Sequence, residues 1–149
     1  MHKLKILNRK EAKRILGQLE EHFGSKIADG YVFLKNDKGR IYVVNRKFGG
    51  INTEKLRINN LGLYFGKIEK NGIRLSIEGC QIVRPKKNVL QIGRGLLDRW
   101  MQGLDIDVEC GMQGFAALKY GEDFVGCGLC KDGKLLNYVP KGRRLSLGS

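Results

Sequence analysis

A capped helix followed by a train of short, glycine-punctuated β runs constrains this chain more than any other feature. Asn8, Arg9, Lys10 and Glu11 have the form of a capping box, in which the N-cap Asn and the Glu three residues on satisfy each other's backbone N–H groups. Ala12, Ile15, Leu16, Leu19 and Phe23 then recur at helical spacing, and Gly24 suits the helix end. The opposite face carries Lys10, Lys13, Arg14, Glu20 and Glu21, a mixed solvent face rather than a nucleic-acid stripe. From Tyr31 the period changes. Tyr31-Val32-Phe33-Leu34-Lys35 and Arg40-Ile41-Tyr42-Val43-Val44 flank the turn residues Asn36-Asp37-Lys38-Gly39, which predicts a hairpin. A second strand pair, 62–68 and 73–77, flanks Lys70-Asn71-Gly72, where Asn-Gly is a strong turn signal.

The remaining segments complete an α+β reading. Thr53-Glu54-Lys55-Leu56 is a candidate helical turn, Ile82-Val83 a candidate extension of the sheet, and Pro85 with Lys86 and Lys87 marks a boundary. Beyond it, Val89-Leu90-Gln91-Ile92 is strand-like. Leu96, Leu97, Trp100 and Met101 share one helical face, which makes Trp100 a core anchor rather than a stacking platform. Short strands and glycine turns follow. The expected organisation is an α+β module over 1–85, then a compact, mostly β module over 86–149.

Composition narrows the partners. Lys and Arg total 28 against 15 Asp and Glu, a net charge of +13, which attracts polyanions. Residues 1–85 hold 18 basic and 8 acidic side chains, and residues 86–149 hold 10 and 7, so the first module carries most of the excess. No run approaches the ~18 apolar residues that span a bilayer. The basic start at Met1, His2 and Lys3 leads into a charged helix, not a signal peptide. An intracellular, cytoplasmic protein is expected, with its four cysteines as thiols rather than disulfides.

Catalytic and metal chemistry find little support. Cys127 and Cys130 form a C-x-x-C, and Cys80 and Cys110 would have to complete a zinc site, but a second closely spaced pair is missing and the run is strand-like. Buried thiols are expected instead; a metal- or redox-responsive protein using Cys127 and Cys130 is the third reading. His2 sits at a terminus and His22 near a helix end, poor settings for a general base. Asp105, Asp107 and Glu109 alternate and, if extended, share one side, which is more simply a solvated strand face than a cation site. No cofactor fingerprint is present, and neither cofactor nor metal is expected. Gly93-Arg94-Gly95 before a helix offers backbone N–H groups to a phosphate. The basic run Lys141, Gly142, Arg143 and Arg144 offers guanidinium forks and a close-approach glycine.

Three stretches also carry a family resemblance. A short helix ending at Gly103, the run Phe115 to Glu122 with Val125-Gly126-Cys127-Gly128, and the basic tail after Pro140, in that order, resemble a PUA domain over 87–147. Upstream, Leu61-Gly62-Leu63-Tyr64-Phe65-Gly66-Lys67-Ile68 with Ile73-Arg74-Leu75-Ser76-Ile77 is similar to the pre-PUA module of the Nip-seven-type ribosome-biogenesis proteins. The stretch 134–144 looks more like the PUA-type tails of RNA cytosine methyltransferases of the Nop/Sun type, although 149 residues leave no room for a methyltransferase domain.

The resemblance implies a pre-PUA module followed by a small PUA pseudo-barrel. It also implies a non-enzymatic RNA-binding protein that assists pre-rRNA processing and ribosome biogenesis. Its partners would be rRNA or pre-rRNA and ribosome-assembly or RNA-modification proteins, with no membrane. The alternative is a stand-alone PUA subunit targeting an RNA-modification enzyme such as an RNA cytosine methyltransferase. RNA in PUA domains follows the first helix, the next strand and the last strand, which assigns RNA binding to Arg94, Arg99, Gly103, Lys141, Arg143 and Arg144. Arg94 and Arg99 are equally readable as ordinary solvent-facing helix residues.

Overall fold

The computed structural model describes residues 4–27, 30–45, 62–70 and 72–139. The Thr53–Leu56 turn and the basic tail Lys141, Arg143 and Arg144 lie outside the described residues, as does His2. Strand β1 (Lys5–Ile6) leads into helix α1 (Arg9–Phe23), where Asn8 and Glu11 exchange both capping-box bonds and Gly24 closes the helix at φ 68°. Then come β2 (Tyr31–Lys35), β3 (Arg40–Asn45), β4 (Leu63–Glu69) and β5 (Gly72–Leu75). These five strands form one antiparallel sheet in sequential order, with a register irregularity between Ile41 and Tyr42.

The segment after β5 departs from the expectation of more strand. Residues Ile77–Val83 form helix α2, so Ile77, Ile82 and Val83 do not extend the sheet. The reason is local. Ser76 accepts the Gly79 N–H on its Oγ at 2.9 Å as an N-cap, and Ile77, Cys80 and Val83 fall on one buried face. Gly79 is required there because a Cβ would collide with the Phe65 carbonyl.

The second sheet is assembled from β6 (Val89–Gln91), β7 (Ile106–Asp107), β8 (Gly114–Tyr120), β9 (Asp123–Lys131) and β10 (Lys134–Leu136), in the order β6-β8-β9-β10-β7. Only β6 and β8 run parallel among its pairs, and helix α3 (Arg94–Met101) crosses between β6 and β7 in sequence.

The two sheets share a core. Ile15, Leu19 and Phe23 of α1 pack in one apolar cluster with Phe33, Phe65 and Leu75 of the first sheet and Phe115, Ala117, Phe124 and Cys127 of the second. Polar groups sew the same seam. The Phe23 carbonyl accepts from the backbone N–H groups of Lys86 and Lys87 at 2.8 and 2.9 Å. His22 Nε2 donates to the Phe115 carbonyl at 2.6 Å, which leaves Nδ1 as an acceptor for the Asn88 amide at 3.4 Å. That amide also donates to the His22 carbonyl at 2.6 Å, while Asn88 itself sits at φ 56°, a left-handed conformation that asparagine tolerates.

The cysteines correct one expectation and explain another. Cys110 and Cys130 are joined as a disulfide rather than standing as thiols. They are brought together because β7 and the loop after it lie beside β10 and β9, a neighbourhood that 20 residues of separation hide in the sequence. Cys127, three residues before Cys130 on a strand, points to the other side and enters the shared core, where Cys80 is also buried.

Candidate nucleic-acid interface

Helix α3 is held by one large anchor. Trp100 is fully buried and its Nε1–H donates to the Val125 carbonyl at 3.1 Å. The indole lies over β9 at Gly126 and Gly128. A Cβ on Gly128 would stand 2.8 Å from the Trp100 ring and 2.5 Å from the Leu136 carbonyl. The Gly-x-Gly of this strand is therefore the imprint of the tryptophan. Burying an indole is worth roughly 4–6 kcal/mol, enough to fix an eight-residue helix that could not persist alone.

The two ends of α3 differ. Its N-cap, Gly93, makes no side-chain cap, and Gly93, Arg94 and Gly95 are all exposed, so the first N–H groups of the helix face solvent. At the other end Gly103 turns at φ 90° and donates to the Trp100 carbonyl at 3.0 Å. Asn137 ties this turn to the chain leaving β10. Its side-chain amide donates to the carbonyls of Trp100 and Leu104, both at 2.8 Å, and its own N–H donates to Asp105 Oδ1 at 2.8 Å. Asn137 is a positioning residue that sequence reading passed over; a lone Asn between Leu136 and Tyr138 carries no periodic signal.

Of the expected RNA contacts, Arg94, Arg99 and Gly103 lie among the described residues. Arg94 projects from the first turn and donates from Nε to Asp98 Oδ1 at 3.2 Å, and hydrogen bonds to Asp98 and then Tyr120 raise its pKa further. Such an exposed pair is screened and leaves the guanidinium accessible. Arg99 is exposed in the last turn and pairs with no carboxylate among the described residues. Five residues apart, the two arginines lie about 140° around the helix from each other, so α3 does not aim them at one point. Gly103 contributes backbone at the helix end. Arg94 is instead beside Tyr120 at the end of β8, next to Lys119, whose ammonium lies 5.3 Å from the Phe124 ring centre. Lys119, half-buried on β8 between β6 and β9, is a further cation that the sequence reading did not single out.

The carboxylates do not converge on a metal site. Asp105 accepts from Asn137, and Asp107 pairs across the sheet with Lys134. No group of three or more His, Cys, Asp or Glu side chains able to hold a metal ion occurs among the described residues. Nor is any described helix long and apolar enough to cross a membrane.

No curated protein matches this chain. Residues 87–145 match the family model of the methyltransferase RsmF PUA domain, less than half of the chain but the whole of the second sheet with α3. That match supports a PUA domain over 87–145, the segment in which a helix seated by its tryptophan lies on a mixed, largely antiparallel five-stranded sheet.

Proposed function

We propose that the protein is a non-enzymatic, cytoplasmic RNA-binding protein that assists pre-rRNA processing and ribosome biogenesis. The observation that carries RNA binding is the PUA match over 87–145. The exposed cations on α3, the uncapped start of that helix and the +13 net charge support it. Phosphates are held by Arg94, Arg99 and the tail cations Lys141, Arg143 and Arg144, with Gly103 allowing close approach. Such contacts position RNA without reading sequence, and selectivity comes from unpaired bases and shape. A second reading is favoured by the matching model being the PUA domain of a methyltransferase: a PUA subunit that targets an RNA-modification enzyme such as an RNA cytosine methyltransferase.

Titration of labelled single-stranded RNA at rising salt tests the binding. Affinity is expected to fall steeply with salt, and Arg143→Ala with Arg144→Ala to cost about 1–3 kcal/mol, similarly for different sequences. Salt-independent affinity, or full binding by that double variant together with Arg99→Ala, would falsify the assigned interface. Recovery of pre-ribosomal proteins with the tagged chain favours the first reading; recovery of a modification enzyme favours the second.

A further inference from the structure

A cleft between the two sheets gathers residues that the α3 interface does not use. It has a volume of about 270 Å³ and is lined by Tyr64 of β4, Arg74 of β5, Glu78 of α2, Gly126 of β9 and Tyr138 beyond β10. That is near the lower bound for a small-molecule pocket, room for one planar group and none for a duplex.

Three observations define its chemistry. The Arg74 guanidinium lies 4.1 Å from the centre of the Tyr138 ring, and its Nε is buried with no hydrogen-bond partner among the described residues. A buried donor left this way is costly and calls for an acceptor. Next, strand register sets Arg40 opposite Lys67 and Lys67 opposite Arg74, three cations in a row across three strands. Glu69 is the carboxylate that answers them, at 3.6 Å from Lys67 and 3.5 Å from Arg74. Like charges directly opposite destabilise a sheet, so this row fits an anion that arrives from outside. Finally, Tyr42 and Tyr64 are cross-strand neighbours with ring centres 5.6 Å apart, and Arg40 stands 5.9 Å above Tyr64. Aromatic faces interleaved with arginines are what splayed, unpaired bases stack upon.

We propose that this cleft receives a single unpaired RNA nucleotide, its base against Tyr64 and Tyr138 with an acceptor oxygen on the Arg74 Nε–H, and its phosphate on the Arg40–Lys67–Arg74 row. The proposal rests on the RNA-binding reading and gives it a selectivity device: a base must leave its helix to enter. It also gives the strongly basic first module a role in recognition. Burial raises the pKa of the Tyr64 hydroxyl, against the opposing pull of Arg74 and Arg40, so the phenol stays neutral beside the incoming charge.

The test uses the full chain, one mixed-sequence oligoribonucleotide, and the same strand annealed to its complement. Arg74→Lys keeps the charge and removes the planar fork. The ratio of single-strand to duplex affinity is expected to fall about tenfold, the worth of one stacked, hydrogen-bonded base. An unchanged ratio overturns the cleft while leaving RNA binding in place, whereas no binding of either RNA by the unaltered protein removes the RNA reading and the cleft with it. Crosslinking of 4-thiouridine-bearing single strands to the unaltered protein decides the matter if Arg74→Lys fails to fold. Adducts on Tyr64 or Tyr138 are expected, and adducts on neither overturn the proposal.

Discussion

Cys80 and Cys127 show how completely a side chain's chemistry is set by where it is put. Burial pushes the Cys127 thiol up to about 12, and burial first, then the neighbouring Cys127, raises Cys80. Both therefore remain protonated and unreactive in the folded chain at neutral pH. In the unfolded chain a thiol ionises near 9, so the native state holds these protons more tightly. Stability is then level below about pH 9 and declines as pH rises toward 12. Alkylation of the native protein at neutral pH is expected to spare both thiols, and melting temperatures to drop across that alkaline window. Rapid labelling of Cys127 in folded protein would contradict this. Gly79 and Gly128 belong to the same scale. Each is a glycine because a neighbouring carbonyl leaves no space for a Cβ, and an isolated glycine in a sequence does not disclose that neighbour.

At the level of elements, α1 and the β2–β3 hairpin were legible because their signals are local: a capping box, a 3.6 period, and turn residues between β-rich runs. Helix α2 was not. Seven residues with one glycine give too few turns for a clear period, and the Ser76 cap is visible mainly once β5 is seen to end at Leu75. The Cys110–Cys130 bridge is also an element-scale device, fastening the segment after β7 to β9 across a separation of 20 residues. Closing a loop of that length restrains the unfolded chain by about 3 kcal/mol. Reduction, or Cys110→Ser with Cys130→Ser, is expected to lower the denaturation midpoint by a corresponding amount. An identical midpoint in the presence and absence of dithiothreitol would show that the bridge carries no stability.

The whole molecule behaves as one folding unit if the shared core governs it. Phe115, Ala117, Phe124 and Cys127 of the second sheet pack with α1 and the first sheet, and the His22–Asn88–Phe115 bonds cross the same seam. Thermal unfolding followed by far-ultraviolet and near-ultraviolet signals is expected to give a single coincident transition. Two resolved transitions would mean that each sheet is stable without the other. Residues 86–149 expressed alone would expose those four side chains, so that isolated segment is expected to melt well below the full chain.

The sequence by itself determined the main helix, the hairpins, the position of α3 and the resemblance of 87–147 to a PUA domain, because each rests on short-range periodicity or an ordered motif. It also identified Trp100 as an anchor, since its phase with Leu96 and Leu97 is local. The tertiary structure alone decided which cysteines meet, how α1 and the two sheets share a core, and that Arg74 lies against Tyr138, 64 positions away. Pairings of that kind depend on strand order and register, which depend on the summed packing of the chain rather than on any window of residues.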